Sequence, residues 1–187
     1  MLSLPDLDER ARALGRYGDV ALHVRSAALS VTARLDLARR FRAAARCVLI
    51  NDRADLVPSA RADGVHLPAR GIPVPTARNL LGPAAVVGRS VHSPREARAQ
   101  AALGADYVFL GPIWETPSHP GVPGLGLAAL AEAQPARVVA IGGLTPERAA
   151  ACLAAGAWGV AAISALWLAD DPAAAAEAFL LSLGLQP

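Results

Sequence analysis

Several polar positions combine residue types able to move protons or hold anions. In GRSVHSPRE, His92 follows Ser90 by two residues and directly precedes Ser93-Pro94. An imidazole titrates near neutrality, so His92 could act as a general acid or base, or simply cap or pack at a helix start. His23 and Arg25, also two apart, share a face of an extended segment and could converge with His92 on one pocket. Asn51-Asp52 closes the run RCVLIND, where Asp52 reads either as a metal ligand or as a turn or cap residue. No second acidic ligand stands at a comparable place, so no metal and no other cofactor is expected. His66, in DGVHLPA, has no other active group in its run and reads as structural.

The glycine pair in VAIGGLTPE suits a different chemistry. Gly142-Gly143 stands just before a Thr145-capped helix, where bare backbone N–H groups and a helix N-terminus bind phosphate oxygens. A tight turn is the other reading. Ile163-Ser164, in AAISAL, occupies the corresponding place one unit later and strengthens the phosphate reading. The loop WETPSHPG, 114–121, adds further polar groups.

These residues need strands to carry them. Four apolar runs of strand length stand out, at 20–25, 46–52, 86–92 and 137–143, with further runs at 63–69, 106–112 and 158–166. Nearly every run leads into an Ala/Arg/Leu-rich helical segment. Ser30, Ser93-Pro94 and Thr145-Pro146 mark helix starts, and Gly104 and Gly156 mark helix ends. Alternating strands and helices imply a parallel sheet in an α/β fold. With MLSLP as an eighth strand and DLDERARALG as its helix, the chain counts out as a single-domain (β/α)8 TIM barrel over 1–187. Such a barrel usually needs about 200 residues or more, so the first βα unit is abbreviated. In this fold the active site lies beyond the C-terminal strand ends, where the residues above fall.

Composition narrows the partners. The 187 residues are 53% hydrophobic and 18% charged with a formal net charge of +2, which suits one core-forming domain. Basic residues are dispersed, so neither nucleic acid nor a membrane surface is an expected partner, and a small molecule is. Cys47 and Cys152 lie in apolar runs without disulfide or zinc spacing. The acidic start lacks the pattern of a signal peptide, so a cytoplasmic location is expected. Trp158 and Trp167 read as ordinary packing, although they or Trp114 could belong to a homodimer interface.

The runs LINDRADL, ADGVHLPA, VGRSVHSPREA, GADYVFLGPIWETPS, VAIGGLTPE and GVAAISAL, in this order, resemble the thiamine phosphate synthase and thiazole tautomerase superfamily from His23 to Ser164. Synthases of that superfamily couple a pyrimidine pyrophosphate to a thiazole phosphate using magnesium; tautomerases only relocate a proton. Where synthases carry Gln-x-Arg-x-Lys, this chain has His23-Val24-Arg25-Ser26-Ala27. Where they carry Gly-Gln-Glu-Asp, with the second magnesium ligand, it has Pro68-Ala69-Arg70-Gly71. The lysine of their Thr-x-Thr-Lys loop is His119, with Thr116 and Ser118 kept.

By these departures the chain looks like the TenI-type thiazole tautomerase branch, an isomerase. The resemblance implies His92 as the catalytic base acting on a thiazole carboxylate phosphate. Arg25, Asn51, Ser90, Thr116, Ser118 and Gly124 are the expected substrate contacts, with Arg25 on the carboxylate, and His23 is a further candidate that the resemblance does not require. Gly142, Gly143, Ile163 and Ser164 would hold the phosphate. Two alternatives stand beside it: a magnesium-dependent thiamine phosphate synthase with Asp52 as metal ligand, and a non-catalytic relative that binds a phosphorylated ligand.

Overall fold

The computed structural model describes residues 4, 6–25, 28–117 and 120–187. The expected first strand, MLSLP, lies almost wholly outside the described residues, so an eighth strand is not among the elements seen. Seven strands run in chain order, β1 to β7, and the pairings β1–β2, β2–β3, β4–β5, β5–β6 and β6–β7 are parallel. The chain divides into two compact units, Met1–Val87 and Gly88–Pro187.

The first unit contains α1 (Leu7–Gly15), β1 (Ala21–Val24), α2 (Val31–Ala44), β2 (Cys47–Asn51), α3 (Val57–Ala60), β3 (Gly64–Leu67), α4 (Val74–Leu81) and the first residues of β4 (Val86–Val91). The β-branched and leucine residues of β2 and β3 are buried on both faces, as strands of a helix-covered parallel sheet must be. Val24, Phe41, Val48, Ile50, Val65, Leu67 and Val74 have no appreciable exposure and form this unit's core. Ser30 starts α2 by accepting the Ala33 N–H at 3.2 Å. Arg40 of α2 pairs with Asp8 of α1 at 2.7 Å.

Beyond β4 the second unit contains α5 (Pro94–Ala102), β5 (Tyr107–Leu110), α6 (Ala128–Glu132), β6 (Val138–Ile141), α7 (Pro146–Ala154), β7 (Gly159–Ala161), α8 (Ser164–Trp167) and α9 (Pro172–Ser182). Ser93 and Thr145 cap α5 and α7 through the N–H groups of Glu96 and Arg148, each helix with proline in its first turn. Gly104 and Gly156 follow those helices at φ of 92° and 97°, left-handed conformations that other residues adopt at a cost. The run 158–166 is a three-residue strand followed by a helix, because Ser164 to Trp167 turn into α8. Trp167 is buried, whereas Trp158 is 63% exposed and does not belong to the core packing expected of it. Cys152 is buried, and burial pushes its thiol up to about 11, so it is no nucleophile near neutral pH. Among the described residues no helix is long and apolar enough to cross a membrane.

Two consequences are measurable. A Cβ on Gly64 would lie 1.9 Å from the Val86 carbonyl oxygen, backbone that cannot step aside. Gly64→Ala should therefore lower the unfolding free energy by about 3 kcal/mol, read as a lower urea midpoint; an unchanged midpoint would show that the strands are not this close. His23 on β1 is half-buried, its ring 5.4 Å from that of His66. Burial first, and the Arg25 charge second, push its pKa down to about 4. The unfolded chain then binds a proton near pH 6.5 that the folded chain refuses until about 4. Stability should fall by up to ~3 kcal/mol as pH drops through that window, and His23→Gln should remove most of the fall. An equal fall in the variant would assign it to other groups.

Candidate functional site

The candidate residues sit at or just past the C-terminal ends of their strands, and each unit is described with its own set. In the first unit β1 places His23 on the same side of the sheet as His66 of β3, and the rings meet tilted at 55°. His66 is buried, as a structural histidine would be. Low pKa keeps His23 neutral near pH 7, so it offers a lone pair and an N–H rather than a charge. Arg25 follows the strand and is exposed.

Asn51 ends β2 in register with His66, and its carbonyl accepts Arg34 Nη1–H at 3.3 Å. Asp52 adopts a left-handed φ of 69° while its N–H bonds the His66 carbonyl at 2.9 Å. That conformation turns the chain sharply out of β2 and leaves Asp52 exposed at its end. The neighbouring carboxylate, Asp55, is tied to Arg53 at 2.8 and 2.6 Å, a bidentate pairing that holds its pKa below the usual carboxylate range. Past β3, Pro68-Ala69-Arg70-Gly71 supplies no acidic side chain. Among the described residues no three His, Cys, Asp or Glu side chains come together as a metal site.

The second unit has the more fully bonded arrangement. His92 directly follows β4, exposed, and its backbone N–H donates to the Glu96 carboxylate at 2.8 Å. Its Nδ1 lies 2.8 Å from the Gly111 carbonyl oxygen. A carbonyl only accepts, so the hydrogen bond assigns the proton of a neutral ring to Nδ1 and leaves the Nε2 lone pair available to a ligand. Ser90 sits half-buried two residues earlier on β4.

From Gly111 the chain continues as an extension of the β5–β6 pairing. Ile113 N–H donates to the Ile141 carbonyl at 2.9 Å and Trp114 N–H to that of Gly142 at 3.3 Å. Gly142 and Gly143 have φ of 100° and 66°, and a Cβ on Gly142 would lie 2.7 Å from Pro112 Cα. Both glycines are thus required by conformation and by contact, since a Cβ on Gly143 would lie 2.9 Å from Trp114 Cβ. Gly124 plays a similar part, since a Cβ there would approach the Ile113 carbonyl to 2.4 Å. Thr116 is half-buried beyond Trp114; Ser118 and His119 lie outside the described residues. Ile163, 47% exposed, and Ser164 stand at the start of the four-residue α8.

Sequence reasoning missed Arg148 and Trp114 as members of this set. The Arg148 guanidinium lies 5.0 Å from the centroid of the Trp114 indole, and its Nη1–H donates to the Gly143 carbonyl at 2.6 Å. The spacing of Arg148, five residues past Gly143 in the first turn of α7, was the available signal.

Residues 5–166 match the thiamine monophosphate synthase family. The thiamine-phosphate synthase of Anaeromyxobacter dehalogenans is 49% identical over 174 residues, covering 89% of this chain and 78% of that protein. The thiamine biosynthesis bifunctional protein ThiM/ThiE of Symbiobacterium thermophilum is 44% identical over 168 residues, 85% of this chain but only 35% of that protein's length. Among solved structures, thiamine phosphate pyrophosphorylase from Pyrococcus furiosus superposes with a TM-score of 0.84 at 28% identity, covering 98% of this chain and 91% of that one.

These findings overturn the expectation of a TenI-type tautomerase and of an isomerase: the relative at 49% identity is named thiamine-phosphate synthase, a transferase. The expectation rested on a few motif positions, with Ala27 and His119 where synthases carry lysine, and identity along most of the chain outweighs them. Matched along most of its length and at nearly half its positions to a synthase, the chain belongs to the thiamine monophosphate synthase family.

Proposed function

We propose that this chain is a thiamine-phosphate synthase, a transferase that joins a pyrimidine pyrophosphate to a thiazole phosphate and releases pyrophosphate. The observation that carries the reading is the 49% identity to a protein of that name across 89% of the chain. The (β/α)8 barrel, with MLSLP as its eighth strand and one domain over 1–187, is part of the same proposal.

Such a reaction needs a site for a phosphate monoester and a site for a leaving group that gathers negative charge as it departs. We assign the monoester to the N–H groups around Gly142-Gly143 and to Ile163 and Ser164. His92 serves as a hydrogen-bonding group through Nε2, its ring steadied by the Gly111 carbonyl. Ser90, Thr116, Ser118 and Gly124 line or shape the substrate loop. In the first unit, Arg25 is assigned to the anionic pyrimidine substrate, with His23 and Asn51 beside it.

The synthases in this superfamily use magnesium, and the donor set here does not fit a pair of carboxylate ligands. Asp55 is committed to Arg53, and Gly71 falls where the second carboxylate would stand, leaving Asp52 alone. We therefore assign no step to a resident metal.

Mixing the purified chain with the two substrates and magnesium should form thiamine phosphate and pyrophosphate in equal amounts, followed by chromatography and a coupled phosphate assay. Absence of both products would remove the synthase reading. His92→Ala should lower kcat/KM about tenfold, the effect of losing one hydrogen bond to a charged group. Full activity in that variant would take His92 out of the site.

A further inference from the structure

The Gly142-Gly143 turn is fixed through its carbonyls. Trp114 N–H holds that of Gly142 at 3.3 Å and Arg148 Nη1–H that of Gly143 at 2.6 Å. In a planar trans peptide the carbonyl and the following N–H point in opposite directions. Holding these two carbonyls therefore turns the N–H groups of Gly143 and Leu144 the other way. Neither N–H has an intrachain partner among the described residues.

Arg148 is itself held in place. The Trp114 ring lies beneath its guanidinium, and a Cβ on Gly143 would crowd both, at 2.9 Å from Trp114 Cβ and 3.3 Å from Arg148 Nη1. The arginine side chain is not needed to start α7, which Thr145 and Pro146 already cap. Its contacts are spent on the turn.

We propose that Arg148, clamped between the Gly143 carbonyl and the Trp114 ring, is a positioning residue that presents the Gly143 and Leu144 N–H groups to a phosphate monoester. The role rests on the phosphate assignment above and names the device that sets its geometry. A mobile glycine pair would have to be ordered by each incoming ligand; a pair locked beforehand binds without that entropy cost.

Calorimetric titration of the full chain with thiazole phosphate, and separately with pyrimidine pyrophosphate, tests it in the wild type, Arg148→Met and Arg148→Lys. Arg148→Met should weaken thiazole phosphate binding about tenfold and leave the pyrimidine ligand within about twofold, with Arg148→Lys recovering only part of the loss, since an ammonium keeps the donor but not the planar stacking on Trp114. Thiazole phosphate should also change the tryptophan fluorescence of the wild type but not of Trp114→Phe. Wild-type affinity in Arg148→Met, or equal weakening of both ligands, overturns the positioning role. No thiazole phosphate binding by the wild type overturns it together with the phosphate assignment. Arg148-dependent binding by a wild type that forms no thiamine phosphate upholds the role and removes only the synthase.

Discussion

The second unit's site depends on the continuation of the β5–β6 ladder past the ends of both strands. Two backbone hydrogen bonds, from Ile113 and Trp114 to Ile141 and Gly142, keep residues 111–114 against 141–143 after regular strand has stopped. Everything else in that set is fastened to this strip. His92 takes its tautomer from the Gly111 carbonyl at one end, and the glycine pair takes its conformation from Trp114 and Arg148 at the other. Such an extension demands glycine wherever backbones meet closely, which accounts for Gly111, Gly124 and Gly142 together.

The first unit works by different means. Its polar residues are modulated by burial and pairing rather than by a bonded backbone strip. His23 is kept neutral by burial beside His66, and the Asp55 carboxylate is neutralised by Arg53. What remains exposed at the strand ends is Arg25 and Asp52. A set of this kind suits anion recognition by guanidinium better than capture of a cation by converging carboxylates.

Motif departures and overall identity pointed in opposite directions for this chain. A handful of positions, among them Ala27, Arg70 and His119, differ from the synthase pattern, and they suggested an enzyme that only moves a proton. Identity spread over most of the chain outweighs them, because an anion site draws on many N–H donors and cations and can lose one without changing its chemistry.

Much was legible in the residues alone. Apolar runs with period and length suited to buried strands located six of the seven strands to within about two residues and overran β7, and Ser30, Ser93, Thr145, Gly104 and Gly156 marked helix ends, since caps and left-handed glycines act through neighbours in sequence. Local chemistry likewise singled out His92, Asp52 and the Gly142-Gly143 pair. Interactions between distant segments were not legible: the His92 tautomer comes from Gly111, the depressed His23 pKa from burial beside a strand two along, and the hold on Gly143 from Trp114 and Arg148. Those depend on which distant segments the tertiary fold brings into contact, and no spacing along the chain encodes that.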